Sequence, residues 1–296
     1  MCPGPTLSDV LSSRPSHWAE RDPVTKPRAE RLRIPRDDPV RPPEGKATPL
    51  RVHSDGPDET THQQGGEGAE DPESALVVRY APKSPKAAVL TLHGGRADDV
   101  SASRPWHLAA LRMRPVLRAV ATGLPSDGIL LGEVRYRHRG WNGGAAADDV
   151  LRALGELQER FGPLPVVLVG HSMGGRAALH AAAHPAVRGV LALAPWLPAA
   201  EPAVHLHGQR LVVLHGDADR ITGADDSVDF VLRARTAGAH AGMVMITGAE
   251  HAMLRRLTTW HRLATEIVAD LLRDHPAKDG TVAEATAPGA PAFLRI

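Results

Sequence analysis

Cysteine is almost missing from this chain: Cys2 is the only one in 296 residues. One thiol excludes an internal disulfide and a thiolate-held metal cluster. Aromatic residues are scarce too, with three Phe, five Trp and two Tyr. No apolar run approaches the ~18 residues of a membrane-spanning helix. No apolar stretch precedes Cys2, so neither a lipid anchor nor a secretion signal is read there. A charge excess is also lacking. The 35 Lys and Arg against 34 Asp and Glu leave +1, which points to no polyanionic partner such as nucleic acid and no membrane association. Lysine is rare, 5 against 30 arginines, a bias suggesting a GC-rich bacterial genome. The chain is therefore expected to be a cytoplasmic protein.

What is present is unevenly spread. Residues 1–75 hold 12 of the 26 prolines, 14 acids and 10 Lys plus Arg, with few large apolar side chains. Such a segment cannot bury enough apolar surface to offset its ordering entropy. Residues 1–74 are thus expected to form a disordered tail, and residues 276–296 a second one. The stretch between them, 75–275, is ample for a single core.

Within 75–275, strands and helices alternate. Residues 75–80, 87–94, 128–136, 166–169, 187–194, 210–216 and 241–247 read as strands, most of them near-continuous apolar runs. Helices are expected over 107–122 (broken or kinked near Pro115), 145–161, 173–183, 227–235 and 257–273. In the second, Val150, Leu151, Leu154, Leu157 and Phe161 recur at three- and four-residue steps. This alternation predicts an α/β/α sandwich around a mostly parallel sheet. The first two strands, joined by the short KSPK turn, read as an antiparallel edge hairpin. In such sheets functional residues sit at the carboxyl ends of strands.

Four strand ends carry chemistry. Gly170-His171-Ser172-Met173-Gly174 matches G-x-S-x-G between the apolar run VVLV and the helical run RAALHAAA. A nucleophile lifted above a sheet needs a tight turn, and small residues two before and two after it let strand and helix approach. HGG at 93–95 ends an earlier strand with backbone N–H groups free of side-chain obstruction. Gly95, or its neighbour Arg96, and Met173 are candidates to hold a tetrahedral oxyanion by their N–H groups. Asp217 and Asp219 follow the strand ending near His215, and Asp219 is the candidate acid, with Asp217 a turn former or a supporting acceptor behind it. His251 follows the next strand and is the candidate base. The order Ser172, Asp219, His251 is the nucleophile–acid–base order of one known fold. His171, beside the nucleophile, points away from it and supports the turn. Arg139, Trp141 and Trp196 follow other strand ends at the same edge. Arg96, Trp141 and Trp196 are candidate substrate-lining residues, against the alternative that the tryptophans pack beneath their loops.

On these residues the sequence resembles the α/β-hydrolase superfamily over about 75–275. The HGGR, RYRHRGWNGG, GHSMGG, APWLP and EHAML stretches resemble those of bacterial members. The resemblance implies an eight-stranded, mostly parallel sheet, a Ser-His-Asp triad and no cofactor. Only Pro195 to Gln209 separates the strands between which many relatives insert a helical cap. The likeness is therefore to capless, dienelactone-hydrolase-like or small carboxylesterase members with an open crevice.

The implied activity is hydrolysis of a small carboxylic ester or thioester through an acyl-enzyme. Alternatives are amide hydrolysis or acyl transfer with the same residues, and a binding protein on a hydrolase scaffold. His180 and His184, four apart on a helix, and His205-x-His207 have chelating spacing. Without an intervening Glu they read as packing or surface histidines rather than a metal site. No protein partner is specified, and Arg255-Arg256 reads as a solvated pair.

Overall fold

A computed structural model of the chain describes residues 74–124 and 128–296. The expected N-terminal tail, up to residue 73, lies outside the described residues. In chain order the elements are β1 (Leu76–Tyr80), β2 (Ala87–Leu92), α1 (Leu108–Gly123), β3 (Ile129–Val134), α2 (Ala145–Phe161), β4 (Val166–His171) and α3 (Met173–His180). They continue with β5 (Val187–Leu193), β6 (Arg210–Gly216), α4 (Ala224–Thr236), β7 (His240–Ile246), α5 (Leu257–Leu271), α6 (Thr281–Thr286) and β8 (Leu294–Arg295).

The eight strands form one sheet in the order β1-β3-β2-β4-β5-β6-β7-β8. All pairings are parallel except that of β1 with β3. The central strands are valine- and leucine-rich and buried on both faces, as a parallel sheet between helices requires. On one face Leu154 and Leu157 of α2, Leu179 of α3 and Phe230 of α4 join the core. On the other, Val120 of α1 and Trp260, Leu263 and Ile267 of α5 do so.

The topology places a crevice. From β2 the chain crosses to β3 on one side, then to β4 on the other side of β2. Connections leaving the carboxyl ends of β2 and β4 therefore diverge, which opens a crevice between them. Leu92 pairs with Gly170 at that end, so the HGG loop and the Ser172 turn lie side by side.

Three expectations need correction. β1 is antiparallel but pairs with β3, not β2, because β2 is taken up by two parallel neighbours, β3 and β4. Of the break or kink expected near Pro115, the break does not occur: helix α1 is one element from Leu108 to Gly123. The segment from 276 onward is ordered: α6 packs Val282 and Ala285 into the core, and β8 extends the sheet beside β7. Arg235 anchors that segment by donating to the carbonyls of Ala285, Ala290 and Pro291. Composition hides this, since a two-residue strand and a long-range arginine leave no periodic pattern. Only residues 194–209, with a single 3-10 turn at Val204–Leu206, separate β5 from β6, so there is no cap at this point. Among the described residues no helix is long and apolar enough to cross a membrane.

Candidate active site

β4 ends at His171 and α3 begins at Met173, so the whole change of direction falls on Ser172. Its backbone sits at φ 56° and ψ −119°, a region that costs a non-glycine residue about 1–3 kcal/mol. Its N–H donates to the Leu193 carbonyl at 3.0 Å, and its own carbonyl accepts from Trp196 N–H at 3.1 Å. Both bonds hold the strained residue against the end of β5. The flanking glycines are required by close approach. A Cβ on Gly170 would stand 2.2 Å from the Gly174 oxygen, and one on Gly174 would stand 2.4 Å from the Leu92 oxygen.

Asp219 lies in the turn after β6 and its side chain is fully buried. One carboxylate oxygen accepts the N–H groups of Ile221 and Thr222 at 2.8 and 3.0 Å. The other accepts His251 Nδ1–H at 2.8 Å and the Thr222 hydroxyl at 2.9 Å, with His215 Nε2 at 3.3 Å. Burial opposes ionisation of this carboxyl. The hydrogen bonds from His215, His251 and the two backbone donors outweigh it and hold the group well below the usual carboxylate range.

Asp217 stands elsewhere. It accepts Gly248 N–H at 2.7 Å and pairs with Arg295 at 2.8 Å, tying the β6 turn to β8. Of the two acids, Asp219 is the one in contact with His251.

His251 follows β7 and turns Nδ1 toward Asp219. His171 lies beside it, with ring centroids 4.8 Å apart. The Nε2–H of His171 donates to the His251 carbonyl at 2.9 Å, so His171 braces the loop that carries His251. Burial, and next the neighbouring His251, push the His171 imidazole down to about 3.

Ser172 and His251 line one cavity of about 460 Å³, together with Gly94, Gly95, Arg96, Trp106, Arg112 and Arg139. Among the described residues the Ser172 hydroxyl makes no hydrogen bond, to His251 or to any other group. Bonds of this kind often tighten only when substrate is in place. The Arg96 N–H is committed to the Arg139 carbonyl at 3.0 Å. The Gly95 N–H, one residue earlier, has no acceptor among the described residues.

Arg96 lines the cavity, but Trp141 and Trp196 are not among its lining residues. Both rings instead stack on the Arg176 guanidinium, 4.1 and 4.7 Å from its carbon. Arg176 pairs with the buried Glu201 at 2.8 Å, and Glu201 also bonds His180. A cation held by a buried carboxylate draws the aromatic faces inward. The aromatic wall of the cavity is Trp106, which the strand-end reading passed over.

Thr222, His215 and Arg112 were also missed. Thr222 had a local signal, three residues after Asp219 within one turn, whereas Arg112 on α1 had none. Of the other histidines, His180 bonds Glu201 and His205 donates to the Leu179 carbonyl. Among the described residues no group of three or more His, Cys, Asp or Glu side chains is placed to hold a metal ion.

Comparison with known proteins adds to this geometry. The sequence profile described as Alpha/beta hydrolase family matches residues 89–294. Lipase LipV of Mycobacterium tuberculosis is 37% identical over 136 residues, which is 46% of this chain and 44% of that protein. The chain thus spans less than half the length of that curated relative. Among solved structures, an alpha-beta serine hydrolase homologue from Coxiella burnetii superposes with a TM-score of 0.51 at 18% identity, over 66% of this chain and 91% of that one. The propionate-bound esterase Est2 of Thermogutta terrifontis gives 0.51 at 17%, over 68% and 91%. At such identities the likeness is one of fold.

Proposed function

The chain belongs to the alpha/beta hydrolase family, and from that premise we propose that it is a serine hydrolase. Its substrate is a carboxylic ester or thioester, cleaved through an acyl-enzyme on Ser172. The observation that carries this reading is the Asp219–His251 pair opening onto the same cavity as a serine held at positive φ.

Asp219 accepts the Nδ1–H of His251, which leaves Nε2 as the basic nitrogen. His251 takes the Ser172 proton as Oγ attacks the carbonyl carbon, and the buried carboxylate stabilises the resulting imidazolium. The oxyanion is held by the N–H of Gly95 and that of Met173 at the start of α3, where the helix dipole favours negative charge. Arg96 is disfavoured as that donor because its N–H is already bonded. Collapse expels the alcohol or thiol with the proton from His251, and water then releases the acyl group by the same steps in reverse order. The lipase name of the Mycobacterium tuberculosis relative supports an ester substrate. The catalytic domain on this reading runs from about residue 75 through β8.

The test is hydrolysis of a p-nitrophenyl ester series by wild type, Ser172→Ala, Asp219→Asn and Asp217→Asn. Loss of Ser172 is expected to lower kcat by roughly 10⁴-fold or more, and Asp219→Asn by about 10⁴-fold. Asp217→Asn should stay within a few-fold of wild type. Full activity in Ser172→Ala would overturn the mechanism, and a large loss in Asp217→Asn with none in Asp219→Asn would overturn the choice of acid.

A further inference from the structure

The cavity at Ser172 has a one-sided charge. Its lining includes Arg96, Arg112 and Arg139 and no aspartate or glutamate. Arg96 and Arg139 share a single carboxylate, Asp99, at 3.7 and 3.8 Å. Arg112 is different. It projects from the second turn of α1, is half-buried, and among the described residues makes neither an ion pair nor a hydrogen bond.

Arg112 and His251 also line a second cavity, of about 910 Å³, together with Arg220, Arg255 and Glu250. Glu250 is already occupied, pairing with Arg255 at 3.4 Å and accepting the N–H groups of Leu254 and Arg255. Arg112 therefore sits where two basic cavities meet, beside the proposed general base.

Arg112 brings a cation without a carboxylate partner to the two cavities it shares with His251. An anion on the substrate supplies that partner. The guanidinium fork is suited to bidentate contact with a carboxylate or phosphate.

Resting on the serine-hydrolase reading above, we propose that the substrate is an ester or thioester that carries a second, anionic group, a carboxylate or phosphate, and that Arg112 binds that group. Arg96 and Arg139 add long-range attraction at the same mouth. The anion raises kcat/KM by steering and by anchoring, so the preference weakens as salt screens it.

The experiment compares three 4-nitrophenyl esters of matched chain length: hexanoate, the adipate hemiester and the 6-phosphonohexanoate. Wild type is expected to prefer one or both anionic esters over hexanoate by at least tenfold in kcat/KM at low salt. The preferred anion names the group. In Arg112→Gln the ratio should fall to near one, and in Arg112→Lys it should be partly kept. Equal turnover of charged and neutral esters, or a ratio indifferent to Arg112, overturns the proposal while the hydrolase reading stands. Calorimetry of the same esters on Ser172→Ala separates binding from chemistry. Should wild type hydrolyse none of the three, the ester reading falls. Arg112-dependent binding of the anionic compounds would then still support the anion site, and its absence would overturn it.

Discussion

His171 shows how much a single side chain next to a nucleophile can do without touching the reaction. Its imidazole is buried and neutral, and its one donated hydrogen bond fixes the backbone of His251. This has a consequence for acid stability. Burial puts the folded-state proton affinity at about 3 against the ordinary 6.5. Below pH 6.5 the unfolded chain takes up a proton that the folded chain refuses. The group therefore subtracts stability as pH falls from 6.5 toward 3, by about 1.4 kcal/mol per unit. In His171→Gln that subtraction is absent. The variant should be less stable than wild type at pH 7 for want of a good fit, and the gap should close by about 2 kcal/mol at pH 5. Urea titrations of both proteins at the two pH values measure it, and a gap independent of pH would contradict the account.

Between residue and molecule stands the turn from β4 to α3, where backbone, not side chains, sets the tolerance. Gly174 faces the Leu92 carbonyl so closely that even one methyl group must displace strand β2. Gly174→Ala is expected to cost about 3 kcal/mol or more, in the range of severe overpacking. By contrast Gly155 of α2 has open space around its position, and Gly155→Ala should stabilise by about 0.5–1 kcal/mol. Thermal unfolding of the pair decides between backbone contact and mere helix propensity. The same turn explains what could be read in advance. Ser172, Asp219 and His251 each lie within a few residues of a strand end, so local pattern and one topological rule brought them to one edge. Arg112 sits on a helix whose approach to the crevice depends on tertiary packing. Trp141 and Trp196 stand at strand ends too, yet the buried Arg176–Glu201 pair turns them inward, and no local signal records that pair.

At the scale of the whole molecule the sheet has two dissimilar edges. β1 closes one side antiparallel to β3, while the other ends in β8, two residues long and joined to β7 by the Ile296 N–H to Met245 and the Thr247 N–H to Ile296, at 2.9 and 2.7 Å. A strand so short contributes little alone. Its segment is held because α6 buries Val282 and Ala285, because Arg235 of α4 collects three of its carbonyls, and because Arg295 reaches Asp217 in the turn that leads to Asp219. The last tie links this edge to the acid of the candidate triad through the backbone. Ending the chain at His275 removes the segment and exposes the edge of β7. Burial of the valine side chain alone is worth about 1.5–3 kcal/mol, so the melting temperature should fall by roughly 3–12 °C. Ester turnover should fall less than in Asp219→Asn, since His251, Thr222 and His215 still hold Asp219 in place. A truncated chain that melts with the full-length protein would show that the segment carries no stability. A truncated chain as inactive as Asp219→Asn would show that the Arg295–Asp217 tie, rather than the hydrogen bonds around Asp219, holds the acid in position.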